Sequence, residues 1–511
     1  MKMTLAKSMN RANACLFIYF LDKTLLQRQL GPQQIPASLY GSKPMPNAKS
    51  FPSTHYDAIV IGSGQGGNPL SQALAAVGMR TALIEREHVG GTCINEGCTP
   101  TKTMVASGRV AYLVRRAADY GIHAGTPRVD MVRVRKRKRD IVNLFRGSGQ
   151  RRIEKTPNLD LIFGHAQFIG RTSIAVRDKK GHDKALTADR FFINAGCRPT
   201  VPQITGLTDI PFLNSTSIME LNVVPDHLLV LGGGYIGLEF GQLFRRLGSK
   251  VTVIQSANSL LAREDADVAS AVAEVLKEDG IHILLEARAE KVARHGSRIQ
   301  LKVRIGGKVR TLEGSHLLVA TGRVPNSDTL NLQAANIATD NRGFIEVNDK
   351  LETSTKNIYA LGDIKGGPAF THISYDDFRI IRTNLIEKGA ASITGRLVPY
   401  TVFIDPQLGR VGMTEAEARQ QNRAIRVAKM PMNYVARALE VDESRGFLKA
   451  IVNAETGQIL GAAVLGLEGG EIMSQIQLAM MGNLPYTVLQ NAVFAHPTLS
   501  EALNNLFSHF Q

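Results

Sequence analysis

Two glycine-rich loops stand about 170 residues apart, Gly62-Ser63-Gly64-Gln65-Gly66-Gly67 and Gly232-Gly233-Gly234-Tyr235-Ile236-Gly237. Each lies between an apolar run and a helical stretch. Asp57-Ala58-Ile59-Val60-Ile61 suits a buried parallel strand, Pro69 to Val77 reads as helix, and Arg80 to Ile84 as a second strand ending at Glu85. In the second unit Leu228-Leu229-Val230-Leu231 leads in, the helix runs to Leu247, and Lys250 to Ile254 follows as strand. Glycine lets the chain turn sharply and approach a pyrophosphate seated on the helix N-terminus, where free N–H groups and the dipole favour an anion. Gly62, Gly64 and Gly67 are therefore candidates for one dinucleotide, and Gly232, Gly234 and Gly237 for another. Glu85 is placed to accept hydrogen bonds from a ribose. Its counterpart, Gln255, is neutral, which leaves NAD and NADP both open. The pattern predicts an α/β chain with two Rossmann-like dinucleotide-binding domains.

At 511 residues the chain has room for three or four domains. Its four cysteines exclude a disulfide-stapled scaffold, and no apolar run approaches the ~20 residues of a membrane span. Cys93 and Cys98 sit within Gly90-Gly91-Thr92-Cys93-Ile94-Asn95-Glu96-Gly97-Cys98-Thr99-Pro100-Thr101-Lys102. Five residues along an undistorted helix rise ~7.5 Å, whereas a disulfide needs Cα atoms within ~7 Å. A bridge between them demands a distorted first turn, which Gly97 eases and Pro100 helps to fix. A strained, accessible bridge is readily reduced, so the pair reads as a redox group. A zinc site would need two more ligands and only His88 is near; two unrelated buried thiols are the remaining alternative. Cys197, after an apolar strand, reads as packing, and Cys15 as incidental.

The cysteine motif resembles the active site of the FAD-dependent pyridine nucleotide-disulfide oxidoreductases, which include dihydrolipoamide dehydrogenase, glutathione reductase and mercuric reductase. The likeness runs from about Tyr56 to Phe507. Ala320-Thr321-Gly322-Arg323-Val324-Pro325-Asn326 looks like the family's ATG-R-x-PN turn, with Ala195-Gly196 a variant of an earlier such turn. Ile358-Tyr359-Ala360-Leu361-Gly362-Asp363 looks like the second flavin-contacting motif, in which Asp363 would hold the ribityl chain. His496-Pro497-Thr498-Leu499-Ser500-Glu501 resembles the family's HPTxxE. Pro497 suits the first position of a helix, which would set His496 at its mouth and Glu501 within reach of the ring.

The resemblance implies FAD and NAD(P)H as cofactors, with Gly91, Thr92, Ala195, Gly196, Gly322, Arg323, Gly362 and Asp363 among the cofactor contacts. It implies a Lys102–Glu239 pair beside the flavin, Cys98 as the flavin-proximal sulfur and Cys93 as the interchange thiol. It also implies that His496, oriented by Glu501, exchanges a proton in the site of a partner subunit, and hence a homodimer. Electrons would run from nicotinamide through FAD to the Cys93–Cys98 pair, reversibly. No resident metal is expected, and the substrate would be a small disulfide, thiol or metal ion. The tail after Glu501 carries no cysteine pair, whereas Pro368 to Asp377 and Val398 to Phe403 look closer to mercuric-reductase-like proteins and a copper-reducing bacterial relative. Reduction of Hg(II) or Cu(II) proper is the alternative.

Net charge is +16, from 61 Lys and Arg against 45 acids. Residues 1–55 hold seven of these cations and the single acid Asp22, with an apolar Ala14–Leu21 and a Pro/Ser/Asn/Gly-rich run from Gly31. This segment reads as a disordered or targeting lead-in to a cytoplasmic protein, organelle targeting remaining open. The block Arg133 to Arg139 invites a nucleic-acid reading. Interleaved Val132, Val134, Ile141, Val142, Leu144 and Phe145 favour a solvated amphipathic helix instead, so neither nucleic acid nor integral membrane is an expected partner. A basic nucleic-acid binder or a redox-inactive adaptor are the minor alternatives. The expected domains are FAD-binding at 56–205 and 325–396, NAD(P)-binding at 206–324, and an α+β dimerisation domain at 397–511.

Overall fold

Alternate residues of the strand Thr54–Ile61 feed two different cores. Ile59 and Ile61 pack on one face of a sheet, Ala58 and Val60 on the other. Burial on both faces is why this run is apolar without alternation. A computed structural model describes residues 54–511; the lead-in through residue 53, with Ala14–Leu21, Cys15 and most of the run from Gly31, lies outside the described residues. Strands Leu159–Phe163, Thr81–Glu85, Thr54–Ile61 and Asp183–Ile193 lie side by side and parallel. The free edge of Asp183–Ile193 pairs at its start with antiparallel Ser173–Arg177 and at its end with parallel Ile358–Ala360. Helix Gly67–Ala76 closes one face through Leu70 and Leu74, which sit against Ala58, Val60 and Leu83.

The second parallel sheet orders as His282–Leu284, Lys250–Ile254, His227–Leu231 and His316–Val319. Helices Tyr235–Leu247 and Ala266–Glu278 cover one face, with Leu238, Phe240, Leu243, Phe244 and Val272 against Leu228, Val230 and Val253. A three-stranded antiparallel sheet, residues 288–314, covers the other through Val292, Leu301 and Val303. Both expected βαβ units are thus present. The last part is an antiparallel five-stranded sheet, with Gln407–Gly412 and Ile459–Gly466 near its middle, and helix Gly469–Met481 packed on it through Ile472, Met473 and Ile476. This is the α/β chain with a C-terminal α+β dimerisation domain.

Helix Cys98–Arg115 leans on Tyr235–Leu247 and joins the two nucleotide folds. Gly108 permits the contact: a Cβ there would stand 2.9 Å from Leu243 Cδ1. The basic block occupies helix Met131–Glu154, capped by Asp130, whose carboxylate accepts from Arg133 N at 3.0 Å. Its inward face differs from the expected stripe. Met131, Val142 and Ile153 are buried, but Val132, Leu144 and Phe145 are more than half exposed, and Lys138 takes a core-facing position. The reason is spacing for two of the three: 131, 138, 142 and 153 fall near one line of a 3.6-residue helix, and 132 and 144 do not. Lys138 is tolerated because Glu220 pairs with it, although burial lowers its pKa. Arg139 shares that carboxylate, Arg137 donates to Thr103 O and Arg146 to Asn95 Oδ1. Much of the block is engaged within the chain.

Candidate active site

The two glycine loops are built alike. Gly62 has φ +100°, and a Cβ there would stand 2.3 Å from Asn194 O; one on Gly67 would stand 2.1 Å from Gly62 O. In the second loop Gly232 has φ +114° against Ala320 O at 2.5 Å, and Gly237 meets Gly232 O at 2.2 Å. In both, the first glycine touches the end of the neighbouring strand and the last touches the first, so only hydrogen fits. Each loop opens a helix N-terminus, Gly67–Ala76 and Tyr235–Leu247. Gly64 and Gly234 form the middle of their turns. Ser63 N and Oγ donate to Glu85 Oε2 at 3.1 and 2.5 Å, which fixes that carboxylate at the loop. Gln255 Oε1 accepts from Gly233 N at 3.1 Å in the corresponding place.

Asn194 binds three segments together. Its Oδ1 accepts from Gly67 N at 2.9 Å and its Nδ2 donates to Leu361 O at 2.8 Å, within reach of Ser374. Sequence reading did not select it, because its partners lie 127 and 167 residues away. Gly362, at φ +74°, abuts the same amide, and its N donates to the fully buried Asp377 at 2.8 Å. Asp363 is nearby in the cleft, its carboxyl raised above the ordinary range by burial, which the charge of Arg323 only partly offsets. Gly91, at φ +61°, is so close to Gly64 that a Cβ would stand 2.7 Å from its Cα, which presses the cysteine segment against the loop.

A cleft of about 640 Å³ runs past these groups, lined by Gly62, Gly64, Glu85, Gly91, Thr92, Ala195, Gly196, Arg323 and Asp363, and reaching Cys93, Cys98, Lys102 and Glu239. Arg323 donates to Cys197 O, but its buried Nε has no hydrogen-bond partner among the described residues, and Gly322, at φ +129°, precedes it. Glycine cradles that exclude a Cβ, open helix N-termini and an unpartnered buried donor fit an elongated dinucleotide. Cys197 is buried, as expected of a packing residue.

The cysteine segment forms two helices, Gly91–Asn95 and Cys98–Arg115, broken at Glu96 and Gly97. The anticipated distortion is present at Gly97, with φ −130° and ψ −115°. Both sulfurs are free thiols here, near enough to set each other's titration. Cys98 is lowered to about 6, first by the hydrogen bond from Cys93, then by the Thr371 hydroxyl and the charge of Lys102, against burial. The same hydrogen bond, with burial and the charge of Cys98, pushes Cys93 above the ordinary thiol range. Thr371 Oγ1 is 3.2 Å from Cys98 Sγ and opens helix Thr371–Leu385, so two helix N-termini meet at this sulfur. Lys102 Nζ lies 2.7 Å from Glu239 Oε2, and Glu239 Oε1 accepts from Phe403 N at 2.9 Å. Thr371 and Phe403 fall in the stretches Pro368 to Asp377 and Val398 to Phe403, where no local pattern assigns them a role.

His496 Nδ1 is 2.9 Å from Glu501 Oε2, an arrangement that fixes the imidazole tautomer. Neither residue lines the cleft of its own chain, and the His496 side chain is 67% exposed. Pro497 does not open a helix, contrary to expectation. Thr498 Oγ1 instead donates to Ala495 O and accepts from Glu501 N, and the helix starts only at Ala502. Thr498 takes the N-cap arrangement, its hydroxyl accepting from the N–H three residues on, and so Pro497 stands outside the helix start. Among the described residues no helix is long and apolar enough to cross a membrane, and no group of three or more His, Cys, Asp or Glu side chains is arranged to hold a metal.

Residues 56–377 match the pyridine nucleotide-disulphide oxidoreductase family, and residues 398–507 its dimerisation domain. The chain is 39% identical over 457 residues to the probable pyridine nucleotide-disulfide oxidoreductase RclA of Escherichia coli K12, covering 89% of this chain and 99% of that one. It is 35% identical over 450 residues to a mercuric reductase of Bacillus cereus, covering 88% and 70%. The solved Cu(II) complex of HOCl-induced flavoprotein disulfide reductase RclA from Escherichia coli superposes with TM-score 0.82 at 38% identity, over 89% of this chain and 99% of that one.

Proposed function

We propose, from the premise that this chain belongs to the pyridine nucleotide-disulphide oxidoreductase family, that Cys93 and Cys98 are the groups through which it delivers electrons to its acceptor. The protein is an FAD-dependent oxidoreductase that uses NAD(P)H. The observation that carries the assignment is the environment of Cys98: the first residue of a helix, with the Thr371 hydroxyl 3.2 Å from its sulfur and the charge of Lys102 holding the thiol low, in the same cleft as the first glycine loop.

When bound, FAD supplies a two-electron relay between nicotinamide and the sulfur pair. The first loop with Glu85, Asp363 and Arg323 would hold it, and the second loop with Gln255 would hold the nicotinamide nucleotide. Lys102 fixes a positive charge beside Cys98, and Glu239 holds that lysine in place. Cys98 persists as thiolate while Cys93 keeps its proton. Cys93 therefore needs a base before it can attack an acceptor. His496 of the partner subunit, oriented by its Glu501, is that base, which makes the working unit a homodimer. We divide the chain into FAD-binding 56–205 and 325–396, NAD(P)-binding 206–324 and dimerisation 397–511. The cytoplasm is its compartment, since the pair needs a reducing nucleotide pool to stay poised.

Cu(II) heads the proposed acceptors, because the Escherichia coli relative was solved with that ion. One NAD(P)H would reduce two Cu(II) to two Cu(I), releasing NAD(P)⁺ and one proton. Mercuric ion is the second reading, favoured by the Bacillus cereus relative. The test is anaerobic NADH and NADPH oxidation by the purified yellow protein with Cu(II), thiol-complexed Hg(II) or lipoamide. Turnover with Cu(II), abolished in Cys93→Ser and Cys98→Ser, supports the reading. Turnover with lipoamide alone assigns a disulfide as acceptor, and turnover that survives both substitutions overturns the cysteine assignment.

A further inference from the structure

A second cavity, of about 680 Å³, opens where the C-terminal ends of helices Cys98–Arg115, Tyr235–Leu247 and Ala266–Glu278 meet the loop at 442–445. Five arginines line it, and they are not equivalent. Arg116 pairs with Asp119 and Asp442, Arg246 with Asp279 and Asp405, and Arg445 with Glu443 and Asp279. The four acids of the lining, Glu278, Asp279, Asp442 and Glu443, are thereby engaged, Glu278 also by Arg445. Among the described residues Arg115 and Arg245 have no carboxylate partner. Arg115 donates only to Arg246 O, and Arg245 to Asp279 O at 2.9 Å and Ser249 O at 3.5 Å.

Both guanidiniums line the same cavity and are held by backbone carbonyls; burial first, then the charge of Arg245, lowers Arg115. Gly280, at φ +84°, leaves the space Arg245 occupies, since a Cβ there would stand 2.7 Å from its Nη2. Like charges kept together beside a cavity favour an anion between them. A guanidinium offers paired planar donors matched to oxyanions. Two of them on one cavity, left over once the four lining carboxylates are engaged by the other three arginines, suit an anion with more than one charged oxygen group.

We propose that Arg115 and Arg245 form a binding site for a multiply charged phosphate-type anion. Its position gives it a bearing on the redox centre. Arg115 ends the helix that Cys98 begins, ~25 Å away at 1.5 Å per residue, and Arg245 ends the helix that carries Glu239. A ligand there would tie together the far ends of the two helices joined at the other end by Lys102 and Glu239.

The experiment is calorimetric titration of the FAD-loaded protein with tripolyphosphate at fixed ionic strength, with NAD⁺ saturating so that the second glycine loop is filled. The expected result is saturable binding, weakened about tenfold or more by Arg115→Gln and by Arg245→Gln, with flavin content and NADH-driven flavin reduction unchanged. A parallel titration with ATP separates the sources: tighter binding assigns a nucleotide, and equal or weaker binding an inorganic polyphosphate. Absence of saturable binding in the wild type overturns the site, as does binding that neither substitution alters.

Discussion

Lys102 Nζ and Glu239 Oε2 lie 2.7 Å apart, although 137 residues separate them in the chain. The pair joins the helix that starts at Cys98 to the helix that starts at the second glycine loop. Glu239 is 3% exposed and Lys102 31%, so the carboxylate depends on the ammonium for compensation. Lys102→Met is expected to destabilise the protein by about 2–3 kcal/mol, below the ~3–5 kcal/mol of a wholly buried pair because Lys102 keeps some solvent. It should also raise the Cys98 pKa. Thermal unfolding and a thiolate titration on the same sample check both effects.

Thr371 touches both sulfurs, and its hydroxyl lies 3.2 Å from Cys98. With the thiolate formed, its hydroxyl must donate, and loss of one such bond is worth roughly 1 kcal/mol, or just under one pKa unit. Thr371→Val should move the thiolate transition upward from about 6, and Thr371→Ser should restore it. The sign is fixed: the depressed thiol is ionised above about pH 6 and loses its charge as pH falls through that value. Ultraviolet absorbance of the reduced protein against pH reads the shift, and an unmoved transition in the valine variant contradicts the assignment.

Asn194→Ala leaves Gly67 N and Leu361 O without their partner. Two buried backbone groups unpaired cost about 1–3 kcal/mol each. Because those groups belong to the first loop and to the segment before Asp363, flavin release on mild heating should fall to lower temperature before global unfolding does. Flavin fluorescence during a thermal ramp, beside circular dichroism, distinguishes the two.

These cases mark what was legible in the chain. The glycine loops, the cysteine segment and His496–Glu501 were readable because each is a local arrangement with a fixed spacing. The Lys102–Glu239 pair was legible only through the family resemblance. Asn194, Thr371, Phe403 and Asp377 act across more than a hundred residues or through a backbone N–H, and carry no pattern of their own. Pro497 misled because a rule for helix starts lost to the Thr498 hydroxyl, and the stripe on Met131–Glu154 misled because Lys138, paired with Glu220, occupies a position reserved for apolar residues.

A trans arrangement of His496 has a distinctive signature. Cys93→Ser and His496→Ala homodimers should each be inactive with the acceptor, while refolded mixtures regain activity. Random reassortment gives about half hybrid dimers with one intact site of two, or about a quarter of wild-type turnover. No recovery in a mixture shown to contain hybrids places His496 in its own chain's reaction or outside it.

The central claim is that Cys93 and Cys98 stand in series with the flavin, and anaerobic reductive titration tests it most directly. Oxidised wild type should take up two electrons per chain for the sulfur pair beyond the two that bleach the flavin, with two new thiols titratable afterwards. Cys93→Ser should take up the flavin's two electrons alone. Equal uptake by the two proteins would contradict the account.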